Sequence, residues 1–167
     1  GATLSWSYQA LNMGPPLTLE AFTSFNLHPM GWANCAQVGA SYAIPNEVTL
    51  CVIGDGSIPM NSQELANKTK EDKIIVVENQ GYGIIRQTQK QFYDSNFAGS
   101  SFSHKSASLP DYSVYRICES YLGEGSVLHI SENQCTHEIV KGFFMGEQQV
   151  MILSIDKTYE VVTDFFD

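Results

Sequence analysis

Two short clusters in this 167-residue chain carry the makings of an anion and metal site: Gly54-Asp55-Gly56-Ser57 and Asn79-Gln80-Gly81-Tyr82-Gly83. Glycines let a backbone approach an anion, and the start of a helix offers unpaired amides with partial positive charge. Asp55 by itself repels a phosphate, so the first cluster makes chemical sense if a cation bridges the two. Magnesium prefers near-octahedral oxygen coordination and commonly joins one or two protein oxygens to phosphate oxygens. Asn79 adds a neutral amide oxygen and Gly81 a backbone carbonyl, which makes Asp55, Asn79 and Gly81 the expected metal ligands. Gly-Asp-Gly alone reads as a tight turn; the specific signal is the order strand, GDGS, helix, strand, NxGYG.

These clusters need strands that end beside one another. Val48–Ile53 is a β-branched run stopped by Gly54, and Ile74–Val77 is a second, stopped by Asn79-Gln80-Gly81. Val127–Ile130 and Val150–Ile155 are a third and fourth. Between them, Gly31–Ala43 is a small-residue helix, and Pro59–Lys68 begins with the proline favoured in a first helical turn. Asp111–Leu122 and Asn133–Phe144 repeat apolar residues at spacings of three and four. Near-continuous apolar strands alternating with helices predict a mostly parallel sheet covered on both faces, a three-layer α/β/α sandwich. Ligands then sit beyond the carboxyl ends of the strands. No repeat or linker divides the chain, so residues 1–167 read as one domain, and Gly1–Trp6 reads as lying within a strand.

The 18 acidic side chains against 9 basic ones give a net charge of −9. That field repels a phosphate backbone, which argues against nucleic acid as a partner. No apolar run approaches the roughly 20 residues that cross a bilayer, and the first residues do not resemble a signal peptide. Cys35, Cys51, Cys118 and Cys135 lack CxxC spacing; they read as buried free thiols in a reducing, cytoplasmic setting.

Gly54-Asp55-Gly56-Ser57, then Met60-Asn61, Gln63-Glu64-Leu65 and Asn79-Gln80-Gly81-Tyr82-Gly83, resembles the diphosphate-binding module of thiamine diphosphate enzymes. Within that superfamily the chain is most similar to the acetolactate synthase-like branch. Pro29-Met30-Gly31-Trp32-Ala33, Ile84–Gln89, Phe92-Tyr93 and Leu109–Tyr112 continue the resemblance over most of residues 1–155. It implies that Asp55, Asn79 and the Gly81 carbonyl hold Mg²⁺, with Gly54, Gly56, Ser57 and the amides from Tyr82 through Gly83 to Ile84 around the diphosphate. It implies that Met30 supports the bent cofactor beside Gly31, and that the His28 carbonyl accepts from the cofactor's amine. A small 2-keto acid such as pyruvate is the implied substrate, decarboxylated and released or joined to an acceptor.

Several positions depart from the family pattern. The stretch 57–77 is a few residues shorter than usual, the loss falling between Asn67 and Lys73. Glu78 replaces the first of two asparagines, and an extra carboxylate beside a diphosphate is unfavourable unless it points away or is paired. Thr88 stands where acetohydroxyacid synthases carry a tryptophan, and Ile85 where pyruvate decarboxylases carry an acid. The glutamate that activates the cofactor belongs to a separate pyrimidine-binding domain, and Glu20 and Glu47 read as solvated loop charges. The expected partner is therefore a pyrimidine-binding domain or subunit, in a homo- or hetero-oligomer.

Two other readings stand beside this one: a subunit that holds cofactor without turnover, and a generic nucleotide-binding domain, which the lack of GxGxxG disfavours. Ser57 reads as a helix cap or a phosphate contact, and Arg86 and Gln89 as channel residues or a solvated helix face. Phe92, Tyr93, Phe97 and Phe102 read as a lid or an interface patch. His28 reads as a loop residue or one that faces substrate, His129 as packed or hydrogen-bonded, and His104, His129 and His137 as without partners at metal-ligand spacing.

Overall fold

The computed structural model describes residues 29–100 and 113–155, together with 22, 24 and 27. The expected strand at Gly1–Trp6 and residues Glu20, His28, Phe102, His104 and Leu109–Tyr112 lie outside them. Among the described residues, four strands form one sheet: β1 (Thr49–Gly54), β2 (Asp72–Glu78), β3 (Val127–Ser131) and β4 (Val150–Ser154). Their order is β1-β2-β4-β3 and every pairing is parallel. The expected strands are present within a residue or two.

Alternation along the strands feeds two cores. Cys51 and Ile53 of β1, Ile74 and Val76 of β2, Val127 of β3, and Val150 and Ile152 of β4 share one face. Ile58 and Leu65 from the β1–β2 connection pack on it, with Val114 and Cys118 of α3 (Val114–Leu122). The other face presents Ile75, Leu128, Ile130, Met151 and Leu153 to Phe143, Ile139, Val140 and Phe144 of α4 (His137–Met145). Helices on both faces make the three layers.

Local chemistry fixes the helix boundaries. Helix α1 (Trp32–Ala43) starts at Gly31, whose φ of 83° is left-handed. Ser113 caps α3 by accepting the Arg116 amide, and Thr136 caps α4 by accepting the Ile139 amide. The expected helix over Asn133–Phe144 is thus a 3-10 turn, Glu132–Gln134, followed by α4. Helix α2 (Gly83–Phe92) follows the second glycine turn and carries Arg86 and Gln89, for which a helix face was one of the expected readings.

The expected helix Pro59–Lys68 is corrected. The segment starts at Asp55, directly after β1, runs to Asn67 with 3-10 geometry, and is broken at Asn61 (φ −140°, ψ 42°). Long 3-10 runs are uncommon, and Pro59 lies inside this one. The break turns the Asn61 carbonyl to the Asn34 amide at 2.8 Å. Residues 68–71 alone lead from this segment into β2, at the opposite end of the sheet from the glycine turns.

A buried polar network seals that far end. Gln37 Nε2 donates to the Thr49 carbonyl, Thr49 Oγ1 and the Lys73 carbonyl at 2.9–3.1 Å. Asp72 accepts from Thr49 Oγ1 at 2.5 Å, from the Thr69 amide at 2.7 Å, and from Ser41 Oγ. Lys68 Nζ donates to the Asn34 carbonyl and Gln37 Oε1. Cys51 and Cys118 are buried, Cys35 half-buried and Cys135 exposed, all as free thiols, so Cys135 is not the buried residue expected.

Candidate functional site

The carboxyl ends of β1 and β2 bring the two glycine turns together. Asp55 is buried, with Oδ1 accepting the Gly56 amide at 2.9 Å and Oδ2 accepting the Gln80 amide at 2.7 Å. Burial raises its carboxyl to about 6, against the lowering effect of those two amides, and the charge of Glu78 adds to the rise. Burial, with the charge of Asp55 second, also raises the Tyr82 hydroxyl.

Asn79 Oδ1 accepts the Gly81 amide at 3.2 Å, folding the second turn on itself. The left-handed residue of that turn is Gln80 (φ 55°) rather than either glycine. Gly56 is needed for space: a Cβ there would lie 2.5 Å from the Tyr82 ring and 3.4 Å from Met30 Cε. A Cβ on Gly31 would lie 2.5 Å from Asn61 Nδ2, and one on Gly83 would lie 3.4 Å from Asn79 Nδ2. Met30, Gly31, Asp55, Gly56, Asn79, Gly81, Tyr82 and Gly83 therefore form one constellation around two strand ends.

The remaining expected residues are placed as follows. Gly54 ends β1 and precedes the 3-10 segment, and Ser57 caps nothing, because that segment begins two residues earlier. Ile84 is half-buried in the first turn of α2, where its carbonyl accepts Thr88 Oγ1. Helix α2 opens at Tyr82 with no side-chain cap, leaving its first amides for another acceptor. Among the described residues no three His, Cys, Asp or Glu side chains gather. A divalent ion at Asp55 would thus rest on one carboxylate plus neutral oxygens, a donor set that suits Mg²⁺.

Arg86 and Gln89 both contact the following loop. The Arg86 guanidinium lies 5.0 Å from the Phe97 ring centroid, and Gln89 Nε2 donates to the Ala98 carbonyl at 2.8 Å. Ser100, almost fully buried, donates to Gln89 Oε1. Phe92 and Tyr93 remain exposed. Sequence reasoning also missed a relay at the strand ends: Ser154 Oγ donates to Glu78 Oε2 at 2.6 Å, and His129 Nε2 lies 2.7 Å from Ser154 Oγ and 3.3 Å from Glu78 Oε2. Its only sequence signal was the unexpected acid at 78.

A parallel sheet whose glycine turns meet over a buried carboxylate, with an open helix N-terminus beside them, is the architecture of a diphosphate-binding α/β domain. Residues 1–154 match the family model of the thiamine pyrophosphate enzyme C-terminal TPP binding domain, and the chain belongs to that family. It is 34% identical over 110 residues to the acetolactate synthase large subunit of Parasynechococcus marenigrum, covering 64% of this chain and 17% of that protein. It is 34% identical over 103 residues to the isozyme 1 large subunit of Escherichia coli, covering 60% and 18%. The chain thus spans under a fifth of these relatives. The fold is shared with the thiamine diphosphate-dependent 4-hydroxybenzoylformate decarboxylase of Rhodococcus jostii, at a TM-score of 0.53 and 21% identity over 77% of this chain and 24% of that one.

Proposed function

We propose that this chain is the diphosphate- and Mg²⁺-binding half of a thiamine diphosphate-dependent enzyme acting on 2-keto acids, through decarboxylation, carboligation or both. The observation that carries this reading is the contact between Asp55 and the Gln80 amide, which joins both glycine turns at one point. In this reading Asp55, Asn79 Oδ1 and the Gly81 carbonyl hold the ion. The amides of Gly56, Ser57 and Tyr82–Ile84 receive the diphosphate, and Gly54 and Gly56 keep side chains out of its way. Met30, 40% exposed beside Gly56, supports the ring portion together with Gly31 and the His28 carbonyl. The bound cofactor supplies an electron sink for bonds next to a carbonyl, and the protein supplies geometry and electrostatics.

A pyrimidine-binding domain or partner subunit supplies the activating glutamate and completes an oligomer in this proposal. The free thiols support a cytoplasmic setting. The test is titration of the purified chain with thiamine diphosphate or NAD, with and without Mg²⁺. Binding of the thiamine cofactor that needs Mg²⁺ and is lost in Asp55→Ala supports the assignment. Binding that ignores Asp55→Ala, or a preference for NAD, overturns it. Decarboxylation on mixing with a pyrimidine-binding partner distinguishes an enzyme from a subunit that only holds cofactor.

A further inference from the structure

Glu78 is the acid that the site's chemistry does not use. Register places Gly54 opposite Val77, so the next residues, Asp55 and Glu78, leave neighbouring strands side by side. Val76, two residues before Glu78 in β2, faces the core that Ile53 of β1 also faces, so the Glu78 side chain leaves β2 on that face. With strands about 4.8 Å apart, two carboxylates would flank one ion site. The structure draws Glu78 the other way. Its register partner on β4 is Ser154, which donates to Glu78 Oε2 at 2.6 Å. His129, on the strand beyond, reaches the same oxygen at 3.3 Å and Ser154 Oγ at 2.7 Å. The Ile155 amide donates to the Glu78 carbonyl at 3.0 Å, fastening the backbone to β4 as well.

We propose that Ser154 and His129 are positioning residues that hold the Glu78 carboxylate on the β4 side of β2, so that an incoming diphosphate meets one carboxylate at the ion site and not two. This rests on the cofactor reading above. The His129 ring also lies beside that of Tyr115, with centroids 6.4 Å apart.

The experiment titrates thiamine diphosphate into the full chain at saturating Mg²⁺, for the unaltered protein, Ser154→Ala, His129→Phe, Glu78→Gln and the double variant His129→Phe/Glu78→Gln. Phenylalanine keeps a ring beside Tyr115, and melting curves check that each variant is folded. Ser154→Ala and His129→Phe each raise the Kd by roughly three- to tenfold, the worth of one hydrogen bond. Glu78→Gln binds at least as tightly as the unaltered chain, and in its background His129→Phe changes the Kd less than twofold. An unchanged Kd in both Ser154→Ala and His129→Phe overturns the proposal, as does a loss that persists in full beside Glu78→Gln, because that marks a merely structural role. No Mg²⁺-dependent binding by the unaltered chain overturns the cofactor reading and this inference with it, so the two failures are told apart.

Discussion

The Asp55 carboxylate accepts the backbone amide of Gln80 at 2.7 Å across 25 positions of sequence. Neither turn is shaped by its own residues alone. Asp55 takes one amide from its own turn and one from the next, so moving either strand end disturbs both. Carboxylates that accept backbone amides are held strongly, yet burial wins here and leaves the group reluctant to ionise.

That reluctance sets a pH dependence. Folding raises the Asp55 carboxyl from 3.8 to about 6, so between those values the folded chain keeps a proton that the unfolded chain has released. The contribution of Asp55 to stability is complete below pH 3.8 and is lost as pH rises toward 6, at about 1.4 kcal/mol per pH unit. Urea melts of the cofactor-free chain at pH 4.5 and 6.5 should show this loss, and Asp55→Asn should remove it. Equal pH slopes in the two proteins would refute the assignment.

Gly56→Ala puts a methyl group 2.5 Å from the Tyr82 ring. Overpacking of this kind costs about 1–3 kcal/mol, and the displaced ring opens the second turn, so both melting temperature and cofactor affinity should fall. Gly39→Ala is the control. Nothing lies within 4 Å of a Cβ there, and alanine in a helix interior should stabilise the chain by about 0.5–1 kcal/mol.

At the far end of the sheet, Asp72→Ala removes the acceptor shared by Thr49 Oγ1, Ser41 Oγ and the amide of the exposed residue Thr69, although Ser41 Oγ keeps the Gln37 carbonyl at 3.0 Å. Unpaired buried donors cost about 1–3 kcal/mol each. With partial relaxation, a total near 3 kcal/mol lowers the melting temperature by roughly 6–12 °C. A shift under 2 °C in calorimetry would show that the network contributes little.

Thiol labelling separates the cysteines. Burial pushes Cys51 and Cys118 up to about 12, so neither should react with a thiolate-directed reagent at pH 8 in the folded chain. Cys135, which is exposed, should react at once. Unfolding in urea should bring the total to four; fast labelling of Cys51 in the native chain would contradict its placement.

The strands were legible because each is a short β-branched run closed by a turn residue, and a strand buried on both faces leaves no other pattern. The convergence of Asp55 with the Asn79–Gly81 turn was legible because two adjacent parallel strands place it there. The 3-10 geometry of Asp55–Asn67 was not, because it follows from a tertiary exchange: the broken carbonyl of Asn61 is taken by Asn34. Arg86 and Gln89 were readable as a helix face, but their residue types announce nothing of the loop they hold. Likewise the Glu78–Ser154–His129 relay depends on strand order, which no local pattern records.

That strand order has a consequence for how the chain is made. The last of the described strands to be synthesised, β4, lies between β2 and β3, both made before it. Until Val150–Ser154 emerges, the earlier strands lack the neighbour that joins them, and the nascent domain stays open along its middle. A chain terminated short of Val150 would lose the strand that joins β2 to β3, so it should yield material for proteolysis rather than a trimmed domain.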